Sequence, residues 1–420
     1  MCRAIYNNNL HSPRELFISD VHFPLLLHLL INHAVTEMLH HALESGVTKS
    51  EAYQLMAECP TDMLLTAAGR IRDMSRAGVI TYSRKVFINL VNLCRDTCTY
   101  CTYKKELGDP MLSMLNPHQV LAIAEAGKKL RCTEALFVTG ERPEQRYEQA
   151  RSWLHSLGYS STVEYIYCIS ELVLEKTGLL PHTNAGSLTK KEMSMLQDTN
   201  VSLGLMLETA SERLMEKGMP HENAPSKNPK VRMKTLESAG ELRMPITTGL
   251  LVGIGETQED LIDSLFAIRE LHEKYGHIQE VIMQNFAPKP ETGMAKFPPA
   301  SPEYFLRSVA MARILMPGMN IQVPPNLNPD IFDRYISAGI NDWGGISPVT
   351  IDHVNPEFPW PSIGLVRKVT ESNGCRLRAR LPIYPEFLKG GFITSERLQK
   401  YASLVADSSG LVKEDYYVND

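Results

Sequence analysis

Three of the eight cysteines lie close together, in the run Cys94-Arg95-Asp96-Thr97-Cys98-Thr99-Tyr100-Cys101, which spaces them C-x3-C-x2-C. Thiolates are the usual ligands of iron–sulfur clusters, and a closed [4Fe–4S] cubane takes four. Three close cysteines therefore leave one iron open. The amino and carboxylate groups of S-adenosylmethionine (SAM) can fill that vacancy. An electron passed into the sulfonium would then release methionine and a 5′-deoxyadenosyl radical. A structural zinc site is the competing reading, but it asks for a fourth Cys or a His at ligand spacing. The nearest downstream histidine, His118, falls in a predicted helix. The remaining cysteines (Cys2, Cys59, Cys132, Cys168 and Cys375) are scattered, which fits a reducing, cytoplasmic setting better than a disulfide scaffold.

Such a loop needs a rigid frame, and the surrounding pattern provides one. The β-branched and apolar run Val86–Leu93 predicts a strand ending directly at Cys94. Upstream, residues from about 33 to 78 read as helical, with Thr48 and Glu51 as a capping box. Downstream, strands and helices alternate. A helix opens at Pro117 behind Asn116, a buried strand runs over Ala135–Val138, and Ser161 and Glu164 box a helix stopped by Gly178. Leu179 to Gly186, Val201 to Glu208, Ile246 to Gly253 and Gln279 to Asn285 are further strand candidates, with helices between them at 230–240 and 257–275. About six βα units with short apolar strands predict an α/β fold, a full or partial TIM-type (β/α) barrel. The expected division is a helical extension over 1–78, a barrel core over 79–320 and a substrate-side extension over 321–420. Chemistry on such barrels sits at the strands' C-terminal ends. The cysteine loop, Thr139-Gly140-Glu141, Glu208 and Gly253-Ile254-Gly255-Glu256 all fall there.

Composition excludes several classes. A net charge of -5 with no basic stripe gives no reason to expect nucleic acid. The longest apolar run, Val21 to Ile31, is broken by His22, Pro24 and His28. It falls short of the roughly 20 residues a membrane span needs, and no secretory cleavage site follows it.

The C-x3-C-x-Y-C loop after the first strand resembles the signature of the radical SAM superfamily. Over about residues 79–385 the other motifs resemble one family within it, the CofG type, subunit 1 of FO synthase. The likeness rests on Thr139–Pro143, His182–Gly186, Ser202–Glu208, Thr247–Gly249, Gly253–Thr257, Gln284–Phe286 and, most specifically, Asn341–Pro348 continuing into Asp352–Glu357. It implies radical ring closure of a tyrosine–aminouracil adduct to 7,8-didemethyl-8-hydroxy-5-deazariboflavin (FO), with release of ammonia. Implied partners are the CofH-type subunit 2 and a low-potential electron donor such as ferredoxin or flavodoxin. Two competing readings are a CofH-type transferase or menaquinone-pathway relative, and a non-catalytic iron–sulfur electron carrier. The stretch Asp342–Gly345 favours the CofG type over the first of these. The open-iron triplet within a barrel-sized chain argues against the second.

The same resemblance assigns roles. Cys94, Cys98 and Cys101 would hold the cluster. Tyr100 would lie against the adenine, Thr139, Gly140 and Glu141 would meet the methionine ammonium, and Gly253 and Ile254 would supply adenine-side backbone. Glu208 would hold ribose hydroxyls or the amino group, and Arg232 the carboxylate. For the second substrate the chain offers His182, Asn184, Gln284, Asn285, Asp342, Trp343 and Asn355, with Asp352 and His353 as catalytic candidates. Amides and carboxylates can match a uracil's edges, and an indole can stack on its ring. His353 would carry a proton, since imidazole titrates near neutrality. Each of these residues alone could equally serve packing or a turn.

Overall fold

The computed structural model describes residues 46–76 and 78–417, together with the isolated positions 37, 41 and 44. Cys2 and the run Val21 to Ile31 lie outside the described residues. Eight strands follow in chain order: β1 (Val79–Val91), β2 (Glu134–Thr139), β3 (Leu180–Asn184), β4 (Ser202–Gly204), β5 (Ile246–Val252), β6 (Ile278–Asn285), β7 (Ile321–Gln322) and β8 (Asp342–Ile346). Each pairs in parallel with the next, and β8 returns to β1, which also pairs with β2. The result is a full eight-stranded TIM-type barrel. Strands walled by side chains within and helices without are buried on both faces, hence their continuous apolar runs. In β5 every position is buried.

Local signals set the helix ends. Asn116 caps the helix Pro117–Lys129, and Thr257 with Asp260 boxes the start of Gln258–Tyr275. Gly178 and Gly276, both left-handed, end their helices. The box expected at Ser161 forms only halfway. Ser161 accepts from the Glu164 amide, but the Glu164 carboxylate turns to Ser160 N and Oγ at 2.8 and 2.6 Å. The N-terminal helices Lys49–Glu58 and Thr61–Arg76 dock on the barrel's outer layer. There Arg307 of the helix Pro302–Leu315 donates to the carbonyls of Cys59 and Leu55 at 2.6 and 3.2 Å.

The barrel runs past the boundary expected at residue 320, because β7 and β8 complete it. Two short strands flanked by turns give little apolar periodicity to read. Beyond them β9 (Arg376–Arg380) pairs with the first half of β1. The chain then crosses beneath the strands' N-terminal ends: the Pro382 carbonyl takes Ser202 Oγ of β4 and, at 3.2 Å, Gln279 Nε2 of β6. This crossing closes the floor. Among the described residues no helix is long and apolar enough to cross a membrane.

Candidate active site

β1 delivers the cysteine loop to the open end of the barrel, and a second loop holds it there. Thr97 N donates to Asn223 O at 2.8 Å and Thr99 N to Pro220 O at 3.0 Å. The turn after β2 presses on the same loop from inside. A Cβ on Gly140 would sit 2.0 Å from the Leu93 carbonyl oxygen and 2.8 Å from Cys94 Cβ, so only glycine fits. The next amide, Glu141 N, donates to Cys94 Sγ at 3.2 Å.

Cys94, Cys98 and Cys101 share a cavity of about 210 Å3 with Tyr100, Thr139, Gly140, Glu141, Asn184, Glu208 and Arg232. Burial pushes the Cys94 thiol up to about 11 and the Cys98 thiol to about 12. Without a metal both therefore stay protonated at neutral pH, and thiolates would come from coordination. Among the described residues no three His, Cys, Asp or Glu side chains converge as ligands of one metal ion do. A cubane instead asks each cysteine to meet a separate iron.

The polar wall of this cavity is only partly satisfied. Glu141 Oε2 accepts from Ser187 N at 2.9 Å, whereas Glu141 Oε1 and Thr139 Oγ1 are buried without a hydrogen-bond partner. Burial raises the Glu141 carboxyl above its usual range. Glu208 stands just past β4 with a left-handed φ of 67°, a conformation that costs a non-glycine residue energy and recurs at functional sites. Its carboxylate pairs with Lys227. Arg232 is buried, its Nε donating to Ser226 O at 3.1 Å. The Tyr100 hydroxyl meets His221 Nε2 at 2.9 Å, and burial holds that imidazole neutral, down to about 3.

A second, larger cavity of about 320 Å3 opens from the first, sharing Tyr100, Cys101, Asn184, Glu208 and Lys227 with it. It reaches deep along β1 to Lys85 and Phe87 and across to Gln284, Gln322, Lys289, Asp352, Asn355 and Trp360. A small polar chamber beside three thiols thus opens onto a roomier one walled by amides, ammoniums and aromatic rings.

Comparison with known proteins decides what this pair of chambers belongs to. The Radical SAM superfamily matches residues 88–268. Over 335 residues, 80% of this chain and 100% of the relative, the sequence is 47% identical to the 7,8-didemethyl-8-hydroxy-5-deazariboflavin synthase of Methanopyrus kandleri. The chain belongs to the FO synthase family of radical SAM enzymes. It is also 45% identical, over 369 residues, to the FO synthase of Streptomyces avermitilis, covering 84% of this chain but only 43% of that longer protein. The crystal structure of HydG, a maturase of the [FeFe]-hydrogenase, superposes with a TM-score of 0.69 at 17% identity over 94% of this chain and 86% of that one. This last likeness is one of fold.

Membership of the radical SAM superfamily brings a [4Fe–4S] cluster and SAM, and the small chamber fits both. It has three thiols in reach of one space, oxygens without a hydrogen bond among the described residues for an ammonium, and charged groups for a carboxylate. The predicted SAM residues divide, however. Tyr100, Thr139, Gly140, Glu141, Glu208 and Arg232 line the chamber. Gly253 and Ile254 do not, and their N–H groups are committed to the Glu256 carboxylate at 2.6 and 2.9 Å.

The predicted substrate residues divide as well. Asn184, Gln284 and Asn355 reach the larger cavity. His182 lies deeper in the barrel, held by Ser202 Oγ at 2.6 Å and Asn184 Oδ1 at 3.0 Å. Asn285 is buried away from the cavity. Asp342 is a correction: it is fully buried, and its carboxylate takes Arg380 Nε at 2.6 Å and Arg380 Nη2 at 3.0 Å. Trp343 is another. It touches the cavity lining, but its ring packs edge-on against Phe332 at 5.5 Å and its indole N–H goes to Thr370 Oγ1, so it cannot stack on a substrate.

Neither catalytic candidate is free to act on a substrate. Asp352 Oδ1 accepts from Val354 N and Asn355 N at 3.0 and 3.1 Å, and Oδ2 from Asn326 Nδ2 and Asn355 Nδ2, both at 3.1 Å. It shapes the loop. His353 packs edge-on against Phe87 at 5.1 Å, behind the cavity wall. Sequence reasoning missed Lys227, His221, Lys85 and Gln322. The one legible sign was at Lys85, a lysine directly ahead of the apolar run that opens at Val86.

Proposed function

We propose that the chain performs the cyclising half of FO synthesis, converting the tyrosine–5-amino-6-(D-ribitylamino)uracil adduct into FO with loss of ammonia. The observation that carries this reading is the match to the whole length of the Methanopyrus kandleri synthase over 80% of this chain. The two connected chambers support it, since a cofactor and a separate organic substrate must meet within one barrel. Cys94, Cys98 and Cys101 hold the cluster, which with SAM bound supplies a hydrogen-abstracting radical. Tyr100 walls the adenine side. Glu141 and Glu208 orient the ammonium and ribose, and Arg232 with Lys227 offsets the carboxylate. Asn184, at the junction, faces both ligands. The closed floor keeps water from reaching a reactive intermediate through that end of the barrel.

The chain covers 43% of the Streptomyces avermitilis FO synthase. We assign the step that joins tyrosine to the aminouracil to a separate CofH-type partner, which the longer protein would carry on the same chain. Function in a reducing cytoplasm with a ferredoxin or flavodoxin donor completes the reading. The test is anaerobic incubation of reconstituted protein with SAM, reductant and enzymatically prepared adduct. Deazaflavin fluorescence rising with 5′-deoxyadenosine is the expected result. Adduct formation from tyrosine and aminouracil would reassign the chain to the transferase, and absence of SAM cleavage would leave only an electron carrier.

A further inference from the structure

Two polar side chains at the deep end of the larger cavity have no hydrogen-bond or ion-pair partner among the described residues. Lys85, on β1, points its ammonium between the rings of Phe87 and Trp360, with Nζ 5.5 and 5.0 Å from their centroids. It makes no hydrogen bond or ion pair to any described residue, although it is 9% exposed. The carboxylates nearest in field are engaged elsewhere: Glu134 by Ser83 Oγ, Asp352 by its own loop, Glu280 by Arg380. Burial pulls this ammonium below the ordinary lysine range. Gln322, closing β7, is also buried with an uncommitted amide on the same cavity. An unpaired buried cation is costly, so a chain that keeps one is equipped to satisfy it with a ligand.

The glycine pair of β8 explains how the two are seated. A Cβ on Gly345 would lie 2.2 Å from Lys85 Cδ and 2.6 Å from its Nζ. A Cβ on Gly344, whose φ is +74°, would lie 2.2 Å from Gln322 Nε2. Gly344 is also held in a left-handed backbone conformation that favours glycine. Each makes room for one of these two side chains. We infer that Lys85 and Gln322 form a recognition pair for the imide edge of the substrate's pyrimidinedione ring, seated by Gly344 and Gly345. An imide edge presents a carbonyl, an N–H and a second carbonyl. A glutamine amide donates to the first and accepts from the N–H, and an ammonium donates to the other carbonyl. The flanking faces of Phe87 and Trp360 suit a flat ring better than a polyol. This inference rests on the function proposed above, because it takes the pyrimidinedione from that reaction.

The test uses the full chain with reconstituted cluster, and FO and its N3-methyl derivative as fluorescent probes. FO retains the imide edge, and methylation blocks its N–H. Wild type is expected to bind FO and to disfavour the methylated probe by about tenfold or more. Lys85→Met should weaken FO binding roughly ten- to a hundredfold, the range of one charge-assisted hydrogen bond. Gln322→Leu should erase the discrimination between the probes. Gly345→Ala, which keeps the amine but displaces it, should reproduce Lys85→Met and stands in for it should that variant not fold. SAM affinity should stay at the wild-type value in all three. Variants that bind and discriminate as wild type does would overturn the pair while leaving the proposed function intact. A wild-type protein that neither binds FO nor makes it from the adduct would overturn both.

Discussion

The barrel holds buried charge at both of its ends, and the two ends treat it differently. At the floor, Arg380 bridges Asp342 and Glu280 at 2.6 and 2.9 Å, Tyr384 donates to Glu280 at 2.7 Å, and Thr247 closes the other Glu280 oxygen at 3.0 Å. The charges there answer one another within the protein. Above the floor, among the described residues, Thr139 Oγ1 lacks a hydrogen bond, as does Glu141 Oε1, which lies 3.7 Å from Arg142 Nε; Lys85 has neither a hydrogen bond nor an ion pair, and Glu208 sits in a strained conformation. Buried polar groups satisfied by the protein stabilise it, and those left waiting mark where a ligand completes the set. By this criterion Asp342 belongs to the scaffold, although its motif carries part of the family likeness.

The comparison breaks most visibly at the cysteines. Cys98→Ala should lose the four-iron chromophore and SAM cleavage together, whereas Cys132→Ser and Cys375→Ser should keep both. Absorbance after reconstitution and a 5′-deoxyadenosine assay check this, and a full cluster in Cys98→Ala would reject the three-ligand assignment. At the floor the expected loss is stability instead. Asp342→Asn leaves Arg380 buried with one partner fewer, which costs about 3–5 kcal/mol by analogy with broken buried pairs. Chemical denaturation should show it, while Lys85→Met, which removes an unpaired charge, should not lower the midpoint. Equal destabilisation by both variants would erase the distinction between the two ends.

Much of this was legible beforehand, for physical reasons. The cysteine spacing and the strands β1, β2, β5 and β6 were readable because continuous apolar runs sit between clear turn signals. β7 and β8 were not, since two and five residues carry too little periodicity to separate a strand from a loop. That is why Asp342 and Trp343 read as substrate ligands: a polar, aromatic, glycine-rich run looks alike whether its side chains face a ligand or Arg380 and Thr370. The glycine pair was a true signal, but its meaning depended on Lys85 and Gln322, which lie far away in sequence and meet it only when the barrel closes.

Acid sharpens the contrast next. Burial lowers the His182 imidazole to about 4, below its ordinary 6.5. The unfolded chain then takes up a proton first as pH falls, so the contribution of His182 is fully present above about 6.5 and is lost on acidification towards 4. With about 1.36 kcal/mol per pKa unit, the loss amounts to about 3 kcal/mol. Stability measured from pH 7 to 4 should fall less steeply in His182→Gln than in wild type. Parallel curves would place His182 in contact with water. At the mouth, Glu208→Gln should weaken SAM binding about ten- to a hundredfold. A loss of adduct binding alone would shift Glu208 to the larger chamber.

The smallest effect is expected at His353, and it separates a wall residue from a proton carrier. Its ring meets Phe87 edge-on, Phe87 lines the cavity, and His353 itself does not. Burial also lowers its pKa, so the imidazole is neutral at working pH. Any influence on the reaction must pass through the position of the Phe87 ring, and an aromatic pair of this kind contributes about 0.5–1.5 kcal/mol. His353→Phe should therefore leave the ratio of FO to 5′-deoxyadenosine unchanged in single-turnover assays, with the rate within about threefold of wild type. General acid–base catalysis would be worth about a hundredfold or more. A drop of that size in His353→Phe, accompanied by loss of a limb from the pH–rate profile, would put the imidazole in contact with the reacting atoms.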